Sequence, residues 1–269
     1  MVRIVGAFAC SHAPQILVQP KVSEEYTAQL AKVHEALMEV GRRISKLNPD
    51  ALIVFGSDHI ESFFLDNYPQ ILIFTGEEVH GEMAGHKLVA KGHPELAKKL
   101  LFSLVEEGFD ICFSQELELD HPYLAPLTWI TKTTDEVKLV PFHINSNVHP
   151  RPTARRCYEL GKAIRRVLDR DDSNERVVLI ATGGLSHYPG TPYYGKVDEE
   201  ADRYVIDKLV SGRGSELANL DAEWLDEHGE FELRTWITLL GAIGDKPAEI
   251  ITYQKTYHIG YCVADFNLT

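Results

Sequence analysis

Residues 177–187 read V-V-L-I-A-T-G-G-L-S-H. The five apolar residues Val177–Ala181 form an unbroken run. A strand with one wet face would alternate apolar and polar; an unbroken run is the pattern of a strand covered on both faces, as in a parallel sheet. Two glycines end the run, and Ser186 and His187 follow. In open α/β sheets ligands bind outside the carboxyl ends of the strands. This stretch therefore sets the expected fold class and points to where chemistry would lie.

The rest of the chain fits the same plan. Strands are expected at Val2–Phe8, Ala51–Phe55, Gln70–Phe74, Asp110–Phe113, Lys138–Ile144, Ile250–Thr256 and Tyr261–Asp265. Helical spacing of apolar residues predicts helices at Ser23–Lys46, Glu95–Glu107, Thr153–Leu168, Asp198–Val210 and Glu230–Leu240. This alternation implies one α/β domain over residues 1–269, with a mainly parallel or mixed sheet flanked by helices. The polar run Asp169–Glu175 reads as a surface turn, and there is no internal repeat.

Composition narrows the function. The chain has 27 Lys and Arg against 40 Asp and Glu, a formal charge of −13. Such a surface repels polyanions, and only Arg151, Arg155 and Arg156 cluster, so nucleic acid is not an expected partner. Cys10, Cys112, Cys157 and Cys262 form no C-x-x-C pair. They read as reduced thiols, which fits a cytoplasmic protein better than a disulfide framework. The first apolar run is too short and polar for a signal peptide, and no stretch approaches a membrane span.

Of the twelve histidines, three directly follow predicted strands: His12 in A-C-S-H-A-P, His59 in G-S-D-H, and His187 in G-G-L-S-H. His121, in L-D-H-P, lies a few residues beyond Asp110–Phe113. All four can converge on one crevice. His34, within a helix, and His80, His86, His93 and His149, in loops and turns, are expected to be surface or capping residues. His143 ends a strand and His258 follows one, so either can line the pocket. Asp58 and Asp120 each precede a candidate histidine, where they can orient an imidazole or simply form a turn. A two-histidine metal site needs an anionic third ligand. H-G-E-F-E-L-R-T-W offers Glu230 and Glu232, both opening an apolar helix. A glutamate there is also a good partner for the helix dipole, and spacing alone does not choose between them.

The strings C-S-H-A-P, G-S-D-H-x-x-S-F-F, L-D-H, T-G-G-L-S-H and E-L-R-T-W, in this order, resemble the class III extradiol ring-cleavage dioxygenases, above all the catalytic β subunits of the protocatechuate 4,5-dioxygenase type. R-P-T-A-R-R-C-Y-E-L-G-K-A-I, residues 151–164, resembles that group too. The resemblance implies a single catalytic domain that binds Fe(II) through His12, His59 and Glu232, with Glu232 matching the family's E-x-x-x-W glutamate. Glu230 is then left as a helix cap. It implies His187 as the base and His121 as the acid in opening a catechol-type ring with O2. Pro122 departs from the glycine usual after the second histidine. Protocatechuate, gallate and aminophenols are the substrate types implied, and a small α subunit or a homo-oligomer the partner.

The chemistry suits the residues. Two histidines and a carboxylate on one face of an octahedron leave three positions open, enough for both catechol oxygens and O2. Imidazoles titrate near neutrality and can carry the protons. Arg151, Arg155, Arg156 and His143 are candidates to meet a substrate carboxylate. Two other readings use the same residues: a zinc-dependent hydrolase, in which the metal would activate water, and a non-catalytic binding protein on the same fold.

Overall fold

The computed structural model describes residues 1–268. In chain order the elements are β1 (Arg3–Cys10), α1 (Gln15–Val18), α2 (Glu24–Leu47), β2 (Ala51–Gly56), β3 (Ile71–Phe74), β4 (Glu78–Met83), β5 (His86–Lys91), α3 (Pro94–Glu106), β6 (Cys112–Ser114), α4 (His121–Ile130) and β7 (Lys138–Ile144). They continue with α5 (Ala154–Arg170), β8 (Arg176–Thr182), α6 (Glu199–Val210), a 3-10 turn (Gly214–Asn219), α7 (Ala222–Glu227), α8 (Leu233–Ile243), β9 (Ala248–Lys255) and β10 (Gly260–Phe266).

Eight strands form one sheet in the order β6-β3-β7-β2-β8-β1-β10-β9, and β4 and β5 make a separate hairpin. The central strands β7, β2, β8 and β1 run parallel. Antiparallel pairs β3/β7, β1/β10 and β10/β9 lie towards the flanks, so the sheet is mixed. Successive side chains of a strand point to opposite faces, and here both faces are buried. Ile53, Phe55, Val177, Leu179 and Ala181 pack with α3, α5 and α8. Leu52, Val54, Val178 and Ile180 pack with α2 and α4. This is why β8 reads as an unbroken apolar run.

The long helices begin where the sequence marks them. Ser23 caps α2 by accepting Tyr26 N–H, and Thr153 caps α5 by accepting Arg156 N–H. The short α1, 3-10 turn and α7 were not expected, and two longer regions also depart from expectation. The segment around His80 and His86 is a hairpin, not a loop. Residues 121–130 form a helix despite Pro122 and Pro126; Pro122 sits in the first turn, where its missing N–H would have had no partner in any case.

Candidate active site

β1, β2 and β8 are neighbours and parallel, so their carboxyl ends open on one side of the sheet. His12, His59 and His187 leave from those ends. His121, the first residue of α4, joins them, as does Glu232 just ahead of α8. A cavity of about 130 Å³ is lined by all five. The site residues expected from sequence therefore share one place.

Each imidazole has its Nδ1 tied to the protein. Nδ1 of His12 lies 3.1 Å from Thr182 Oγ1. Nδ1 of His59 lies 2.9 Å from the Ser57 carbonyl, and that of His187 lies 2.8 Å from the Leu185 carbonyl. A carbonyl only accepts, so His59 and His187 carry a proton on Nδ1. Their Nε2 atoms are then lone-pair acceptors when the rings are neutral. Nδ1 of His121 lies 2.7 Å from Glu61 Oε1, which fixes the same tautomer beside an ionised Glu61. Glu61 was not singled out from the sequence; its position two residues after His59 was the available signal.

Glu232 supplies the anion. Its Oε2 accepts Gly184 N–H at 2.5 Å. Its Oε1 faces His12 Nε2 and His59 Nε2, each at 2.9 Å, and His187 Nε2 at 3.5 Å. The residues after it hold it there. Thr235 Oγ1 donates to the Thr182 carbonyl, Arg234 is buried and donates to Pro152 and Phe231, and Trp236 is fully buried. A Cβ on Gly183 would come within 3.1 Å of the Glu232 carbonyl, so glycine allows β8 and α8 to approach this closely.

These donors fit a divalent cation. Ligand atoms bound at about 2.1 Å and at right angles stand roughly 3 Å apart. When His59 carries a single ring proton, on Nδ1 and donated to the Ser57 carbonyl, its Nε2 lone pair meets a carboxylate oxygen, a repulsion that a cation between them removes. Nitrogens of His12, His59 and His121 also lie within 4.8 Å of one another, so His121 is a further donor within reach of an ion held there.

Glu230 is not the helix cap expected of it. It lies outside α8, is fully buried, and neither carboxylate oxygen has a hydrogen-bond donor among the described residues. Burial, then the neighbouring Asp202, pushes its pKa well above the usual carboxylate range. Burial opposes ionisation of Glu232 as well, but His12 and His187 outweigh it and hold that carboxyl well below the range. The two glutamates are thus separated by environment, which favours ionisation of Glu232 and opposes that of Glu230.

Other expectations are corrected. His143 is buried with Nδ1 accepting Asp58 N–H and Nε2 against the Pro69 carbonyl, so it does not line the cavity. His34 is neither surface nor cap: it is buried, stacks on Trp129 at 3.8 Å and reaches the Ile16 carbonyl. His93 does cap α3, while His80 and His149 are exposed. The Asp58 carboxylate orients no imidazole; its oxygens accept Ile60 and Ser62 N–H in a turn. Asp120 accepts the backbone N–H of His59 rather than holding His121. That turn places Ile60 at φ +62°, a left-handed conformation that a β-branched residue seldom adopts. Its side chain is exposed at the mouth of the site.

A second cavity of about 570 Å³ adjoins the first through His59 and His187. Arg151, Asp226, Asn147 and Phe231 are among its walls. Of the three arginines, only Arg151 lies there. Arg155 reaches Asn219, and Arg156 lies over the Phe109 ring at 3.9 Å. Among the described residues no helix is long and apolar enough to cross a membrane.

Comparison with known proteins gives the fold and the family. A crystal structure of the uncharacterized protein JW3007 from Escherichia coli K12 has the same fold, with a TM-score of 0.66 and 16% identity over 98% of this chain and 100% of that one. A 2,3-dihydroxyphenylpropionate/2,3-dihydroxicinnamic acid 1,2-dioxygenase of Klebsiella pneumoniae is 30% identical over 203 residues, covering 75% of this chain and 61% of that protein. One of the same name from Burkholderia vietnamiensis is 32% identical over 198 residues, covering 72% and 60%. The chain thus spans about three fifths of the length of the curated relatives it matches. The family profile of the catalytic LigB subunit of aromatic ring-opening dioxygenase matches residues 6–264, and the chain belongs to that family.

Proposed function

We propose that this chain opens the ring of a catechol-type substrate with O2, using one Fe(II) held by His12 Nε2, His59 Nε2 and Glu232 Oε1. The observation that carries this reading is the convergence of two imidazole nitrogens on one carboxylate oxygen at 2.9 Å, with the His59 proton already committed elsewhere. Iron bound there would let electron density pass between the ring and O2.

The chain's own residues handle the protons. His187 takes one from a catechol hydroxyl at Nε2. Burial alone would weaken it as a base, but Glu232 more than compensates and raises its pKa. Burial lowers the pKa of His121 to about 4, against the pull of Glu61. A proton taken up at His121 Nε2 is therefore readily given on, which suits delivery to a departing oxygen. The inner cavity holds the ring, and the outer cavity accepts a ring substituent. The named substrates of the relatives carry one, so substituted catechols are the class to test first.

The test is chelation followed by reloading, with O2 uptake and ring opening measured over a panel of catechols. Fe(II) is expected to restore both and Zn(II) neither. Ring opening with zinc alone would overturn the iron assignment, and activity on esters but not catechols would favour a hydrolase.

A further inference from the structure

The loop between β9 and β10, residues 256–259, hangs over the inner cavity and brings His258 into its wall. The loop is pinned: Thr256 N–H and Oγ1 both bond the Ile259 carbonyl, and Gly260 N–H bonds that of Ser186. His258 is only 4% exposed. Its Nε2 lies 3.2 Å from Tyr26 Oη, which in turn lies 3.2 Å from Tyr261 Oη. Both tyrosines are buried.

Counting protons along this chain assigns its direction. Tyr261 Oη has no partner other than Tyr26 among the described residues. If His258 donated from Nε2 to Tyr26, Tyr26 would donate to Tyr261, and the Tyr261 proton would be left buried with no acceptor, an arrangement that folded proteins avoid. In the opposite direction every hydroxyl proton is used: Tyr261 donates to Tyr26, and Tyr26 donates to His258 Nε2. The proton of a neutral His258 then sits on Nδ1, which has no protein partner among the described residues. Burial lowers the pKa of this ring to about 4, in keeping with a neutral imidazole.

His258 is thereby set apart from its neighbours. His59, His121 and His187 direct Nδ1 at protein acceptors and keep Nε2 for the cavity. We infer that His258 is a substrate-contacting residue, whose Nδ1–H donates to an oxygen of the bound catechol that has lost its proton, with Tyr26 and Tyr261 as positioning residues that fix its tautomer. This rests on the catechol reading of the site.

Two measurements test it. Nitrogen-15 NMR of the histidine-labelled full chain, with the signal assigned by its loss in His258→Gln, should show His258 protonated at Nδ1. A proton on Nε2 would overturn the inference whatever the substrate. The second is anaerobic titration of the Fe(II)-loaded protein with 4-nitrocatechol, followed by its visible absorbance. His258→Phe should weaken binding about 10- to 100-fold, the usual worth of a hydrogen bond to a charged group. His258→Gln, which keeps a donor, should stay within a few-fold of wild type, and iron content should be unchanged in both. Equal affinity of wild type and His258→Phe would sink this inference and leave the catechol reading standing. Failure of the wild type itself to bind 4-nitrocatechol would remove both.

Discussion

His187 and His121 share one cavity, one tautomer and near-complete burial, yet the protein pushes them in opposite directions. Burial lowers the pKa of each. For His187 the ionised Glu232 at 3.5 Å overrides burial and leaves a stronger base. For His121 the partner is Glu61, whose side chain is 35% exposed and so screened by water. Burial wins there, helped by the neighbouring His59 and His12, and the pKa falls to about 4. The difference teaches that distance to a carboxylate does not alone set an imidazole's pKa: Glu61 is closer to its histidine than Glu232 is to His187, yet at His121 burial and the neighbouring His59 and His12 prevail.

The comparison is broken most completely by removing the group that divides the pair. Glu232→Ala is expected to abolish iron binding, measured as metal content after anaerobic loading. Full retention would mean that His12, His59 and His121 hold the ion among themselves. Next in size are the two histidines. His187→Ala and His121→Ala should each keep iron and lose turnover by roughly 10²–10⁴-fold. More acidic catechols should partly rescue His187→Ala, because they ionise without help, and should not rescue His121→Ala. Equal rescue of both would erase the division between base and acid.

A smaller effect is expected at the screened partner. Glu61→Gln keeps a hydrogen-bond acceptor but removes the charge, and should reduce turnover by roughly 10- to 100-fold, as for other groups that orient active-site imidazoles. Unchanged rates would leave Glu61 without a role in proton delivery. Smallest of all is Glu230→Gln. If Glu230 is neutral, the amide replaces a carboxylic acid of the same shape. Stability should then change by less than about 1 kcal/mol in a denaturant titration, with iron content intact. A large loss would show that Glu230 is ionised.

Much of this arrangement was legible in the sequence because it depends on order along the chain. The unbroken apolar run of β8 and the histidines after β1, β2 and β8 are local signals, and a parallel sheet gathers strand ends automatically. Glu230 and Glu232 could not be separated by that means. Both precede the same helix, and what distinguishes them is the company each meets after folding: His12, His59 and His187 for one, Asp202 for the other. His34 and His143 were misjudged for a related reason. Each spends its ring on a carbonyl far away in sequence, Ile16 and Pro69 respectively. The β4–β5 hairpin escaped notice because Ala84, at φ +50°, occupies a turn position usually held by Asn, Asp or Gly.

The left-handed backbone at Ile60 gives selection two opposed demands. For residues other than glycine this conformation costs about 1–2 kcal/mol. Glycine there would relieve it, at an unfolded-state cost of about 0.5–1 kcal/mol, so a small net gain in stability is open to the chain. The gain would come at the residue that follows His59, the metal ligand proposed above, in the turn held by Asp58. Heat tolerance thus favours a slacker turn, and holding His59 still favours the strained one.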